Sequence, residues 1–81
     1  MVTAKELLSR IKWDKNLKPE EYFIFYIDRV ANKLAVIKYS DILKIDGSFM
    51  VLDKYPEEVY IPLHRIREIR RDGKLVWRRI V

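Results

Sequence analysis

Residues 22–39 read Tyr-Phe-Ile-Phe-Tyr-Ile-Asp-Arg-Val-Ala-Asn-Lys-Leu-Ala-Val-Ile-Lys-Tyr. Residues 22–27 and 34–39 are rich in aromatic and β-branched side chains, which predicts two strands of a hairpin. The register follows from the turn. With Val30, Ala31 and Asn32 as a three-residue loop and Asn32 left-handed, Arg29 opposes Lys33. Phe23, Phe25, Ile27, Ala35, Ile37 and Tyr39 then share one wholly apolar face. Ile24, Tyr26, Asp28, Leu34, Val36 and Lys38 fall on a mixed one. A slip of one residue exchanges the faces, so this register is the expected one.

Upstream, Thr3 and Glu6 stand at the spacing of a capping box, with Val2 and Leu7 placed as a hydrophobic staple. Ala4, Leu7, Leu8 and Ile11 share one face of the helix that follows, and Arg10 projects from its flank. Residues 14–19 form a polar connector ending in Pro19. Trp13, at the helix exit, is expected to seal that end onto the core. Downstream, residues 40–44 are read as a helical turn capped by Ser40 or as a short edge segment. Residues 49–52 read as a strand, 53–58 as an acidic loop and 59–61 as the start of another strand. Pro62 has no N–H to donate, so residues 62–65 interrupt the ladder. Asp72-Gly73 is a type I′ turn between residues 67–71 and 74–79. The fold class is therefore α+β, an N-terminal helix packed on a curved, largely antiparallel and barrel-like β-sheet. Residues 1–81 form a single domain.

Composition narrows the function classes. A chain of 81 residues buries only about 60% of its unfolded surface. With no cysteine, neither a disulfide framework nor a thiolate metal site is available, and a reducing cytoplasm is the expected location. No apolar run approaches the roughly 20 residues that span a bilayer, so no membrane partner is expected. Charged residues make up 36% of the chain, against about 25% in ordinary domains, and glutamine is absent. That balance fits a thermophile rich in surface ion pairs.

The sign of the charge is localised. Residues 1–63 carry ten basic and ten acidic side chains, whereas residues 64–81 carry six Arg and one Lys against Glu68 and Asp72. The whole net charge of +5 thus sits in the tail, where a local field attracts phosphate-bearing partners. A regular two-residue turn sets Arg71 opposite Lys74, Ile69 opposite Val76 and Arg67 opposite Arg78. Like charges so opposed are destabilising and need an anion or an acidic neighbour. Trp77 lies near Arg70 and Arg79, a mixture that serves single-stranded nucleic acid through stacking and phosphate contacts. The structural alternative makes Trp77 a core residue and the arginines a rim paired with the acidic loop. His64 is the only histidine, followed by Arg65. Arginine offers the planar fork that phosphate accepts. One histidine without cysteine cannot complete a zinc site, so no metal or other cofactor is expected. The two glycines, Gly47 and Gly73, provide no phosphate-cradling loop, which argues against nucleotide hydrolysis.

Three segments carry a resemblance: Arg-Ile-x-Trp-Asp at 10–14, Tyr-x-Asp-Arg at 26–29, and Ile-Pro-Leu-His-Arg-Ile at 61–66, which leads into the basic hairpin. Together they resemble the RNA cyclic group end recognition domain, a family of small archaeal proteins formerly left uncharacterised. The resemblance spans about residues 3–80, and the 61–66 segment is its most specific part. It implies recognition of 2′,3′-cyclic phosphate ends of RNA beside RNA repair or end-processing enzymes. Carried over, it implicates His64 and Arg65 first, then Arg29, then Arg10, Trp13 and Asp14. Many members have His before the second-motif arginine and Gly after it, where this chain has Asp28 and Val30. An acid beside Arg29 opposes an anionic ligand.

The expected function is a non-catalytic RNA-binding module for single-stranded RNA ends in RNA repair or processing. Its candidate ligand-binding residues are His64, Arg65, Arg29, Arg10, Arg67, Arg70, Arg79, Trp77, Tyr26 and Trp13, with a terminal base stacking on Trp77 or Tyr26. One alternative is a general basic nucleic-acid-binding protein, which the pI of about 9.6 allows. Another is an RNA phosphodiesterase, disfavoured because cleavage needs an acid and a base and there is one histidine. A last alternative is a structural subunit whose basic hairpin docks on an acidic protein.

Overall fold

The computed structural model describes residues 2–54 and 56–80. Helix α1 (Ala4–Trp13) is followed by strands β1 (Tyr22–Asp28), β2 (Lys33–Lys38), β3 (Ile42–Asp46), β4 (Phe49–Lys54), β5 (Glu57–Pro62), β6 (Ile66–Arg71) and β7 (Lys74–Arg78). Short 3₁₀ turns occupy Pro19–Glu21, Tyr39–Asp41 and Leu63–Arg65. The strands form two antiparallel sheets among the described residues, one of order β2-β1-β6-β7 and one of order β3-β4-β5. The α+β class holds, but the expected single barrel-like sheet is instead two sheets that do not close.

Local chemistry sets the helix. Thr3 Oγ1 accepts from the Glu6 N–H at 3.1 Å, supplying the Thr3 arm of the expected cap. Ala4, Leu8 and Ile11 are buried, spaced by four and three residues along one face. Trp13 follows Ile11 by two residues, about 200° around the helix, and so points away from that face. It is 73% exposed, which corrects the expectation that its ring seals the helix end. The Asp14 N–H bonds to the Arg10 carbonyl at 2.8 Å and closes the last turn. Turn Tyr39–Asp41 is closed by Asp41, whose Oδ2 accepts from the Lys38 N–H at 3.0 Å, so the cap precedes Ser40.

The first hairpin differs from its expected register by one residue. Asp28 pairs with Lys33, Tyr26 with Ala35 and Ile24 with Ile37, around a loop of residues 29–32. Asp28 builds that loop: its Oδ1 accepts from the Val30 and Ala31 N–H groups at 2.9 and 3.2 Å. Asn32 takes the left-handed conformation as expected, at φ 53°. Tyr22, Ile24 and Tyr26 therefore face the core, and Phe23, Phe25 and Ile27 face outward, half-buried. β1 is apolar on both faces, so alternation could not decide between them. The outer aromatics are partly covered, Phe25 by the Arg70 guanidinium 5.4 Å from its ring centre.

Two bulges reshape the basic hairpin. The β1–β6 register shifts between the Phe25–Glu68 and Tyr26–Ile66 pairs, leaving Arg67 as an extra residue. Ile66 and Ile69, three apart, can thus both be fully buried. A second shift, between Ile69–Trp77 and Arg70–Leu75, leaves Val76 extra. Arg71 opposes Lys74 as expected, around a left-handed Asp72-Gly73 turn at φ 51° and 84°. Arg78 instead opposes Glu68, which removes the expected Arg67–Arg78 clash. The core joins α1, the inner face of the larger sheet, Met50 and Leu52 of β4, Ile61 of β5, and Leu63. No helix among the described residues is long and apolar enough to cross a membrane.

Candidate functional site

The basic side chains do not form one patch. Those of β6 and β7 are largely occupied within the fold. Arg71 Nε lies 3.0 Å from Glu21 Oε1, a hydrogen bond that holds the guanidinium pKa above its ordinary value. Arg70 pairs with Glu68 at 2.9 Å. Glu21 and Glu68, rather than the acidic residues of 53–58, are the partners among the described residues. Arg67 Nη1 donates to the His64 carbonyl at 2.9 Å. Arg79 donates from Nε to the Ile66 carbonyl at 2.9 Å and from Nη2 to the Leu63 carbonyl at 3.0 Å. Its guanidinium sits 5.2 Å from the Trp77 ring centre, and Trp77 Nε1 donates to the Val2 carbonyl at 2.7 Å. Arg79 and Trp77 therefore fasten the last strand to turn Leu63–Arg65 and to the N-terminus. We expect Arg79→Ala to lower the urea midpoint by an amount worth about 1.5–3 kcal/mol, the value of charge-assisted hydrogen bonds. The fall in stability should exceed its effect on RNA affinity.

The turn Leu63–Arg65 splits the His-Arg pair. Pro62 ends β5, the Leu63 N–H bonds to the Ser48 carbonyl at 2.8 Å, and the Ile66 N–H returns to the Leu63 carbonyl. Exposed His64 opens on a groove with Lys5, Trp77, Arg78 and Arg79. Half-buried Arg65 opens on a different groove. Because Ile66 pairs with Tyr26, Arg65 lies beside the end of β1, where the Asp28 turn holds Arg29.

This second groove encloses about 240 Å³ and is lined by Tyr26, Ile27, Asp28, Arg29, Val30, Lys54, Val59, Tyr60, Ile61 and Arg65. It sets Arg29, Lys54 and Arg65 against one carboxylate, Asp28, whose Oδ1 is committed to two backbone N–H groups. Among the described residues, none of the three cations has an ion-pair partner. The Asp28 carboxylate thus builds the loop that carries Arg29. Tyr26 is 5% exposed, so its ring belongs to the core and does not support stacking of a base. Tyr60 is 48% exposed and stands edge-on to Phe49 with ring centres 6.3 Å apart. Sequence reasoning missed Tyr60 and Lys54. Alternation with buried Ile61 was the available signal for Tyr60.

Burial, and secondarily Asp28, raises the Tyr26 pKa above 10.0, and burial alone does the same for Tyr39. Folding thus favours the protonated phenols. Their contribution to stability is full below pH 10 and falls as the pH rises through the raised folded values. Melting temperatures taken from pH 9 to 11 should decline, and Tyr26→Phe should shallow that decline.

The remaining candidates lie elsewhere. Arg10 is exposed on α1 and lines neither groove. Trp13 lines a third groove with Lys5, Lys12 and Lys44, and Lys12 Nζ lies 5.1 Å from its ring centre. The 10–14 segment is therefore not brought to the groove where the other two motif arginines meet. Among the described residues, no cluster of three His or acidic side chains is placed to hold a metal ion.

Known proteins match the chain along nearly its whole length. A UPF0248 protein of Saccharolobus islandicus is 36% identical over 78 residues, covering 93% of this chain and 96% of its own. A UPF0248 protein of Metallosphaera sedula is 33% identical over 78 residues, covering 96% of this chain and 94% of its own. No solved structure matches. The family model described as the MJ1316 RNA cyclic group end recognition domain matches residues 1–79. With both the match to the model and the relatives running nearly end to end, the chain belongs to the MJ1316 RNA cyclic group end recognition domain family.

Proposed function

We propose that this protein is a non-catalytic module that binds RNA termini, prefers 2′,3′-cyclic phosphate ends, and holds them in the groove between Arg29 and Arg65. One observation carries the site: segments 26–29 and 61–66, two of the three that carry the family resemblance, deliver Arg29 and Arg65 to the same groove. The domain description of the matching family supplies the ligand class. A cyclic phosphodiester carries one negative charge, whereas a terminal phosphomonoester carries about −1.5 to −2 at pH 7. A plain charge patch would therefore favour the monoester. Preference for the cyclic end requires directional donors, which two guanidinium forks supply, with Lys54 adding positive charge. Tyr60 offers a ring to the terminal base. Among the described residues the groove holds no histidine, and Oδ1 of its one carboxylate accepts two backbone N–H groups, which disfavours general acid–base cleavage there. Chemistry on the RNA would come from a repair or processing enzyme.

Amide NMR spectra recorded during titration with a nucleoside 2′,3′-cyclic phosphate test the location. Shifts should cluster at Arg29, Lys54, Tyr60 and Arg65. A cluster at Lys5, His64 and Trp77 would move the site to the other groove and overturn this assignment.

A further inference from the structure

The groove does not end at Arg29. Ile27 lines it and also lies on the outer face of β1, the face that carries Phe25 and Phe23. Residues directly opposite across strands share a face. One row of that face therefore reads Val36, Phe25, Glu68, Arg78, and the next Lys38, Phe23, Arg70, Leu75. Phe25 and Phe23 follow Ile27 at steps of about 6.6 Å, from a rise of roughly 3.3 Å per residue. Both rings are half-buried. The flanking strands carry three cations, Lys38, Arg70 and Arg78, and one acid, Glu68, already paired with Arg70. Leu34 and Val36 on edge strand β2 are 48% and 52% exposed, so the apolar surface of this face runs out to the open edge of the sheet, and the Arg70 guanidinium lies 5.4 Å from the Phe25 ring centre.

We infer that this outer sheet face is a second RNA contact, a platform for the single-stranded nucleotides that precede the bound end. Phe23, and Phe25 once a base displaces the Arg70 guanidinium from its ring, stack successive bases, and Lys38 and Arg78 neutralise phosphates. The inference rests on the RNA-end reading above. Aromatic rings in line on a strand, flanked by cations, are the arrangement single-stranded nucleic acid uses. Each stack changes affinity enough to measure after removal of the ring. The charge balance, three cations to one acid, selects a polyanion over a second copy of this same face, which would set like charges together.

The test compares a dinucleotide with a hexanucleotide, each ending in 2′,3′-cyclic phosphate or 3′-hydroxyl. The hexanucleotide should bind at least tenfold tighter than the dinucleotide. Phe25→Leu and Phe23→Leu keep apolar volume and remove the ring, and each should cost the hexanucleotide about five- to tenfold. They should leave dinucleotide affinity and the cyclic-to-hydroxyl ratio unchanged. Equal binding of the two lengths, or wild-type hexanucleotide affinity in both Leu variants, overturns the platform while end preference stands. Loss of end preference with the length effect intact overturns the end reading instead. Dimerisation in sedimentation runs that Phe25→Leu abolishes would assign the face to a second copy and overturn the inference.

Discussion

Arg65→Ala and Arg29→Ala are each expected to weaken binding of an RNA with a 2′,3′-cyclic phosphate end by about 10- to 150-fold. That range is the loss of one charge-assisted contact of about 1.5–3 kcal/mol. A 3′-hydroxyl RNA should lose little, because it presents no terminal phosphate to the groove. Arg65→Lys should restore only part of the affinity, since an ammonium cannot reproduce a planar fork. His64→Ala should have a smaller effect, because His64 opens on the other groove. Fluorescence anisotropy with the two RNAs measures all four variants, and unchanged thermal melts show that each still folds. Equal losses on both RNAs would reduce Arg29 and Arg65 to general phosphate contacts.

The sequence points to half of the proposed site. While the Asp28 turn that holds Arg29 appears only in the structure, the resemblance of segments 26–29 and 61–66 singles out Arg29 and Arg65. Their meeting was not legible, since it depends on the Tyr26–Ile66 pairing between strands forty residues apart. Lys54 and Tyr60 arrive from the second sheet; Lys54 carries no local signal, and alternation with Ile61 marks Tyr60 only as outward-facing. The sequence casts Asp28 as an electrostatic obstacle, and the structure gives it a part in building the loop that carries Arg29. Charge and ring alone cast Arg79 and Trp77 as ligand groups. Their hydrogen bonds to the Ile66, Leu63 and Val2 carbonyls are tertiary and invisible to spacing.

Ile69→Ala is expected to produce the largest loss of stability, about 2–5 kcal/mol by urea denaturation. Ile69 is fully buried at the middle of the larger sheet, paired with Ile24 on one side and Trp77 on the other. Truncation opens a cavity that three strands and α1 cannot close without shifting the bulges. A domain of 81 residues has about 4–12 kcal/mol in total, so this one change takes a large share of it. Ile69→Val should cost about 0.5–1.5 kcal/mol. Val30→Ala, at a site 99% exposed, should stay within about 0.5 kcal/mol of wild type. A small effect of Ile69→Ala would mean that β6 is not the centre of the core.

Hairpins with a strong turn dipeptide were readable, and strand faces were less so. Asp72-Gly73 forms the left-handed turn its sequence demands. Asp46 and Gly47 repeat the dipeptide, but Asp46 ends β3 in a pair with Phe49, and Gly47-Ser48, with Gly47 at φ 61°, joins β3 to β4. That hairpin was missed because the flanking residues 42–46 alternate weakly and resemble a helical turn. The bulges at Arg67 and Val76 are one-residue insertions without a proline or glycine to mark them, yet they decide which side chains share a face. The register error in the first hairpin has the same root. Where both faces of a strand are apolar, only the loop fixes the pairing, and here the Asp28 side chain fixed it.

The most direct measurement is equilibrium binding of one short RNA ending in 2′,3′-cyclic phosphate, 3′-phosphate or 3′-hydroxyl, at low and moderate salt. The groove of Arg29, Lys54 and Arg65 predicts that the cyclic end binds at least tenfold tighter than either competitor, about 1.4 kcal/mol, and that the margin survives moderate salt. Binding that follows charge alone, with the 3′-phosphate tightest and all three converging as salt rises, would contradict end recognition and leave a general nucleic-acid-binding surface.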